Sequence, residues 1–192
     1  MALKQFDDKG HCIGIVYRML SKATNEFGKF QKEKGGEYKS FFYLQDKLET
    51  YKKHLRRQEF GLLQYLWITE GYFDTLALLS IGIPSVSVGG TFLKSLLPMK
   101  YDKLIITPDK NMLTRWRDDI SQSSSVYGFS TADILIADPS SYGDGCKDIN
   151  DSIIKHNLTN NKDSRVYLLT RLRLKKINSN TGDDTYDNGY EW

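Results

Sequence analysis

Cysteine is scarce in this 192-residue chain: Cys12 and Cys146 are the only two, far apart and in no Cys-x-x-Cys pair. That excludes a zinc ribbon and a disulfide framework. It leaves two reduced thiols in the cytoplasm or an equivalent reducing compartment as the expectation. Long apolar runs are missing as well, and residues 1–10 are polar, so neither a membrane span nor a secretory signal is expected. No Gly-x-x-x-x-Gly-Lys-Ser/Thr stretch occurs, which excludes a P-loop motor. Charge is nearly balanced: 27 Lys and Arg against 24 Asp and Glu leave +3, which permits nucleic-acid contact without arguing for it. No internal repeat is visible.

What the chain does have is an ordinary globular composition, 40% hydrophobic and 27% charged, enough for one core and a small appended lobe. Residues 12–20 are β-branched and aromatic, as in a strand. Residues 21–40 interleave Lys22, Lys29, Lys32, Lys34 and Lys39 with Phe27, Phe30 and Tyr38. Cations beside rings suit single-stranded nucleic acid, and equally a solvated hairpin face. Leu44, Leu48, Tyr51 and Leu55 recur at helical spacing over 44–59. The Lys52–Arg57 cluster in that segment fits a phosphate contact or simply an exposed helix end.

From Leu62 the rhythm becomes strand, helix, strand. The pattern predicts strands near 64–69, 84–88, 103–107 and 132–137. Helices are predicted near 72–81, 91–98, 111–123 and 148–157, giving a parallel sheet with helices on both faces. Residues 165–177 read as a strand or a short helix with a basic edge, and 178–192 as a disordered acidic tail.

The chain is organised around Trp67–Leu79, where an apolar run ends at Glu70, one glycine follows, and an amphipathic segment opens. Two more carboxylates follow later strands: Asp109 after residues 103–108, and Asp148 after residues 134–138. The three are spaced at 39-residue intervals, about one strand–helix repeat or slightly more. Carboxylates that converge at strand ends can hold Mg²⁺ or Mn²⁺ for phosphoryl transfer. Taken singly, each has a structural role available. Asp148 would cap the following helix, and Asp74 would sit in a helix first turn, favourable to the dipole.

Glu70-Gly71-Tyr72-x-Asp74, then Leu76-Ala77-Leu78 and Gly82-Ile83-Pro84, resembles the first acidic motif of the Toprim domain in DNA primases. Gly90-Thr91 fits the glycine turn of that domain. Lys147-Asp148-Ile149-Asn150-Asp151 resembles a motif of phage and organellar primase-helicases. Asp7-x-x-Gly10-x-x-x-Gly14 and the basic stretch after it resemble the lobe that precedes Toprim.

The resemblance implies an α/β Toprim fold, a Rossmann-like parallel sheet behind a small basic α+β lobe. The lobe would span 1–60, Toprim 61–160, and a C-terminal strand or helix with the tail 161–192. It implies metal-dependent synthesis of short RNA primers from nucleoside triphosphates on single-stranded DNA. Glu70, Asp109 and Asp148 would be catalytic, and with Asn111 would bind Mg²⁺ or Mn²⁺. Gly71, Gly90, Thr91 and Lys147 would take nucleotide phosphate. Lys29, Lys32, Lys34, Lys39, Arg56 and Arg57 would contact nucleic acid. A replicative helicase or a separate zinc-containing module would be the protein partner.

One stretch departs from the family. Where Toprim domains carry Asp-x-Asp, this chain has Asp109-Lys110-Asn111, one carboxylate fewer and a lysine between. Both changes weaken the pull on a dication. They support a second reading, a catalytically decayed Toprim protein that binds single-stranded nucleic acid during replication. A Toprim nuclease or topoisomerase-like enzyme is a third, disfavoured by the primase-type surroundings of Glu70 and Gly90.

Overall fold

The structure, a computed structural model, describes residues 1–6, 11–18, 30–32, 34–35, 65–88, 104–127 and 134–177. The expected helices over 44–59 and 91–98 lie outside these residues, as do Lys29, Lys39, Arg56, Arg57, Gly90, Thr91 and the tail 178–192.

Two sheets form. The first is antiparallel, in the order β1 (Ala2–Phe6), β2 (Cys12–Arg18), β3 (Phe30–Lys32). β2 matches the sequence expectation. β1 is not expected, because Ala2–Phe6 is only five residues long; its pairing with β2, Leu3 opposite Val16, makes it a strand. Lys32 and Lys34 are exposed on this lobe.

The second sheet has five strands: β4 (Leu66–Thr69), β5 (Ser85–Ser87), β6 (Leu104–Thr107), β7 (Ile134–Ala137) and β8 (Leu174–Lys176), in the order β5-β4-β6-β7-β8. The first four are mutually parallel, and β8 runs antiparallel to β7. Every residue of β4 to β7 is buried, as befits a sheet covered on both faces.

Side chains alternate between those faces. Trp67, Ile105 and Leu135 point to one, where they meet Leu78 of α1 (Tyr72–Ser80), Ile149 and Ile153 of α3 (Ile149–Lys155), and Leu168 and Leu169 of α4 (Lys162–Arg171). Leu66, Ile68, Ile106, Ile134 and Ile136 point to the other, against Trp116 and Ile120 of α2 (Leu113–Tyr127). Trp67 is fully buried at the centre, where truncation to alanine would cost about 3–5 kcal/mol. The segment 165–177, open between helix and strand in sequence, divides into both. It completes α4, turns at Leu172, and pairs with β7 as β8.

The small lobe packs on the same domain through Leu3 and Val16, which bury Tyr72 and contact Leu76 of α1. The Arg18 guanidinium lies 4.4 Å from the centre of the Phe73 ring, a cation–π contact across the same seam. Among the described residues no helix is long and apolar enough to cross a membrane.

Candidate metal centre

The carboxyl ends of β4, β6 and β7 each deliver a turn, and three turns converge. At the first, the Thr69 hydroxyl lies 2.7 Å from that of Thr75, tying the strand end to α1. Between them, Gly71 caps α1 with extended backbone and no side-chain cap. A Cβ at Gly71 would stand 2.6 Å from Oδ2 of Asp74, closer than such contacts allow. The glycine therefore makes room for the Asp74 carboxylate at the helix mouth. Asp74 Oδ1 also accepts the Asn150 N–H at 3.2 Å, joining α1 to α3.

The second turn follows β6. Pro108 is buried, Asp109 is half-buried, and the Lys110 N–H donates to the Lys147 carbonyl at 2.9 Å. That bond fastens the second turn to the third. On the other side of Asp109, the Tyr142 hydroxyl donates to the Pro108 carbonyl at 2.9 Å. Tyr142 ends a 3₁₀ turn, Pro139–Tyr142, whose start is capped by Asp138 accepting the Ser140 N–H at 2.9 Å.

The third turn ends in Asp148, which caps α3 by accepting the Asp151 N–H at 2.8 Å. Asp151 Oδ2 accepts the Lys147 N–H in return at 3.2 Å, a reciprocal cap. Lys147 itself is exposed, its Nζ 3.8 Å from Asp148 Oδ2.

The outcome is a triad: Asp74, Asp109 and Asp148 present carboxylate oxygens all within 4.8 Å of one another. Like charges this close repel by on the order of 3–4 kcal/mol per pair at an effective dielectric near 20. Buried Asp74 bears this repulsion directly. Burial first, then the charge of Asp148 and more weakly that of Asp109, push its pKa from 3.8 up to about 7, although the Asn150 hydrogen bond opposes the rise. Glu70 is raised too, by burial and then by Asp109, with Arg115 pulling the other way. The Tyr142 phenol is fully buried; burial and then four aspartates hold it well above the ordinary tyrosine range, so it stays a donor.

Of the residues singled out in sequence, the structure brings Asp109 and Asp148 together. Glu70 is outside the triad but electrostatically coupled to Asp109. Asn111 is exposed just before α2, and Gly71 forms the cap of α1. The third member of the triad, Asp74, reads in sequence as part of the Glu70-Gly71-Tyr72-x-Asp74 motif and as a first-turn acid, not as a ligand. Its signal was the same Glu-Gly-x-x-Asp spacing, in which the glycine and the aspartate serve each other.

The donor set fits a hard divalent cation. It is all oxygen, three carboxylates reach one point, and Oε2 of Glu70 is buried beside them with no hydrogen bond among the described residues. These residues would hold Mg²⁺ or Mn²⁺.

No family model matches the chain, and no curated protein matches it in sequence. Solved structures do match in fold. The RNA polymerase domain of Mycobacterium tuberculosis primase DnaG superposes with a TM-score of 0.61 at 17% identity, covering 92% of this chain and 55% of that one. The Aquifex aeolicus primase, with its zinc-binding and RNA polymerase domains, gives 0.60 at 21%, covering 90% and 40%. A DNA primase domain from Pseudomonas aeruginosa gives 0.57 at 15%, covering 89% and 50%. The fold is that of primase catalytic cores, a mixed α/β Toprim-like fold with a mostly parallel central sheet. This chain spans about half the length of the proteins it matches.

Proposed function

We propose that this chain is a primase-type nucleotidyltransferase that makes short RNA primers on single-stranded DNA. The observation that carries the reading is the convergence of Asp74, Asp109 and Asp148 at the carboxyl end of a parallel sheet with a primase-core fold. The reaction joins a 3′-hydroxyl to the α-phosphorus of a nucleoside triphosphate and releases pyrophosphate.

The three aspartates would hold the divalent ion, which when bound supplies Lewis acidity and offsets phosphate charge. Lys147 is exposed beside Asp148 and offers a point charge to the triphosphate tail. Glu70, whose pKa burial and then the charge of Asp109 raise from its ordinary value, is suited to accept the hydroxyl proton at its buried Oε2. Lys32 and Lys34, exposed on the amino-terminal lobe, would contact template phosphates together with Lys29, Lys39, Arg56 and Arg57. Gly90 and Thr91 complete the proposed phosphate-binding set with Gly71.

The domain division at residues 60 and 160 belongs to the same reading, as does a partner helicase or a zinc-containing module for template recognition. A second reading, binding of single strands without catalysis, is favoured by Lys110 and Asn111 standing where a second carboxylate is expected.

Primer synthesis decides between them: purified protein, single-stranded DNA, labelled ribonucleotides, and Mg²⁺ or Mn²⁺ in parallel. Short RNA products that disappear with Asp109→Ala are expected. Absence of product with both metals, alongside salt-dependent single-strand binding, would replace the first reading by the second.

A further inference from the structure

We infer that Tyr142 is a positioning residue for the metal centre: its buried hydroxyl fixes the backbone that aims Asp109. This rests on the metal-binding reading of the triad. Three observations carry it.

The first is the bond itself. Tyr142 is fully buried, and its hydroxyl donates to the carbonyl of Pro108, the residue immediately before Asp109. A buried tyrosine in an apolar core needs one acceptor, and here that acceptor belongs to the peptide unit that joins Pro108 to Asp109. The Lys110 N–H is meanwhile held by the Lys147 carbonyl. Asp109 is thus clamped on both sides, once by the turn carrying Tyr142 and once by the turn carrying Asp148.

The second is the way the phenol is delivered. The Pro139–Tyr142 turn is itself braced by three bonds outside the metal centre. Ser140 N–H donates to Asp138, the Ser141 hydroxyl donates to the Asp138 carbonyl at 2.6 Å, and Arg173 N–H donates to the Ser141 hydroxyl at 3.1 Å. A residue that merely filled the core would need no such bracing of its own turn. The bracing reaches back to the start of β8, so the position of the phenol is set by the sheet edge and not by the triad.

The third is the force the clamp resists. Asp109 faces two other carboxylates within 4.8 Å, and their mutual repulsion drives it outward whenever no cation offsets the charge. Removing the hydroxyl leaves the Pro108 carbonyl buried without its donor, and the peptide before Asp109 is then free to rotate toward water. The apo site would open, and binding a cation would have to draw it back. The cost appears in metal affinity.

The test is Mn²⁺ binding to the full chain, read by the electron paramagnetic resonance of free Mn²⁺, for wild type, Tyr142→Phe, Ser141→Ala and Asp109→Ala. Tyr142→Phe is expected to bind Mn²⁺ three- to tenfold more weakly. Primer synthesis in that variant should recover toward the wild-type maximal rate as Mn²⁺ is raised, while Asp109→Ala recovers at no concentration. Ser141→Ala, which loosens the same turn from outside the core, should shift affinity in the same direction by about twofold. Ile120→Val, a core change on the opposite face of the sheet, should leave Mn²⁺ affinity unchanged. Unchanged Mn²⁺ affinity in Tyr142→Phe would overturn the inference and make Tyr142 a core residue only. If Tyr142→Phe does not fold, Ser141→Ala decides alone, with unchanged affinity again overturning it. Wild-type protein that binds Mn²⁺ no better than Asp109→Ala would instead overturn the metal reading beneath it.

Discussion

Two aspartates at the same end of the sheet have opposite environments. Asp138 follows β7 and Asp74 follows β4 by one turn, yet the first has its pKa lowered and the second raised to about 7. Burial works to raise both. At Asp138 it is outweighed by hydrogen bonds from the Ser140 N–H and hydroxyl, and then by the charges of Lys175 and Arg173. At Asp74 it is compounded by Asp148 and Asp109. A carboxylate satisfied by its own turn is part of the scaffold. One buried against its own kind destabilises the apo fold and keeps its affinity for something positive.

The sharpest way to break this contrast is Asp74→Asn. Under the proposed function, primer synthesis falls to background in this variant, yet the fold becomes more stable. The sign follows from the raised pKa. The folded protein holds a proton on Asp74 that the unfolded chain releases, so stability from this group is full below pH 3.8 and lost as pH rises through about 7. The penalty at pH 8 is roughly 4 kcal/mol at most, since each tenfold change in proton affinity is worth about 1.4 kcal/mol. Urea melts of both proteins should show the variant ahead at pH 8, with a smaller lead at pH 5. Added Mn²⁺ should stabilise only the wild type. A variant less stable than wild type at pH 8 would show that the carboxylate is held by unrecognised donors.

Gly71→Ala comes next. Its Cβ would collide with the Asp74 carboxylate, and forced rearrangement of this kind costs about 1–3 kcal/mol. Thermal melts should record the loss, and Mn²⁺ affinity should fall with it; a neutral substitution would mean that the carboxylate turns away freely. Asp138→Ala should cost about 1 kcal/mol through loss of the turn's cap, opposite in sign to Asp74→Asn. Because the pKa of Asp138 is lowered, that cost should shrink as the pH drops through the folded value, where wild type loses the same interaction. Lys147→Ala closes the series. Its ion pair with Asp148 is 68% exposed on the lysine side, so melting should change by less than about 0.5 kcal/mol even where the KM for nucleotide rises. A larger stability loss there would move Lys147 from the ligand's side to the scaffold's.

Much of the sheet was legible because its strands are continuous apolar runs. Leu66–Thr69, Leu104–Thr107 and Ile134–Ala137 lie inside the spans expected, trimmed by one or two residues at the start. β1 was not legible, since an isolated pentapeptide becomes a strand only when Cys12–Arg18 lies beside it. At the candidate site, Asp109 and Asp148 announced themselves by following apolar runs. Asp74 did not, because an acid in a helix first turn has a sufficient local explanation, and convergence with residues 35 and 74 positions away cannot be read locally. Tyr142 left still less trace. It ends a short polar turn with no periodicity, and its importance lies in one bond to a backbone carbonyl 34 residues earlier.

The reversed direction of β8 has a practical consequence. Its last backbone bond joins Ile177 N–H to the Ile134 carbonyl, at the start of β7, whereas the triad gathers beyond the ends of β4, β6 and β7. The polypeptide therefore leaves the sheet on the side away from its chemistry. A fluorophore, a bead or a fused reporter attached where that strand ends would sit at the opposite end of the sheet from the acidic triad.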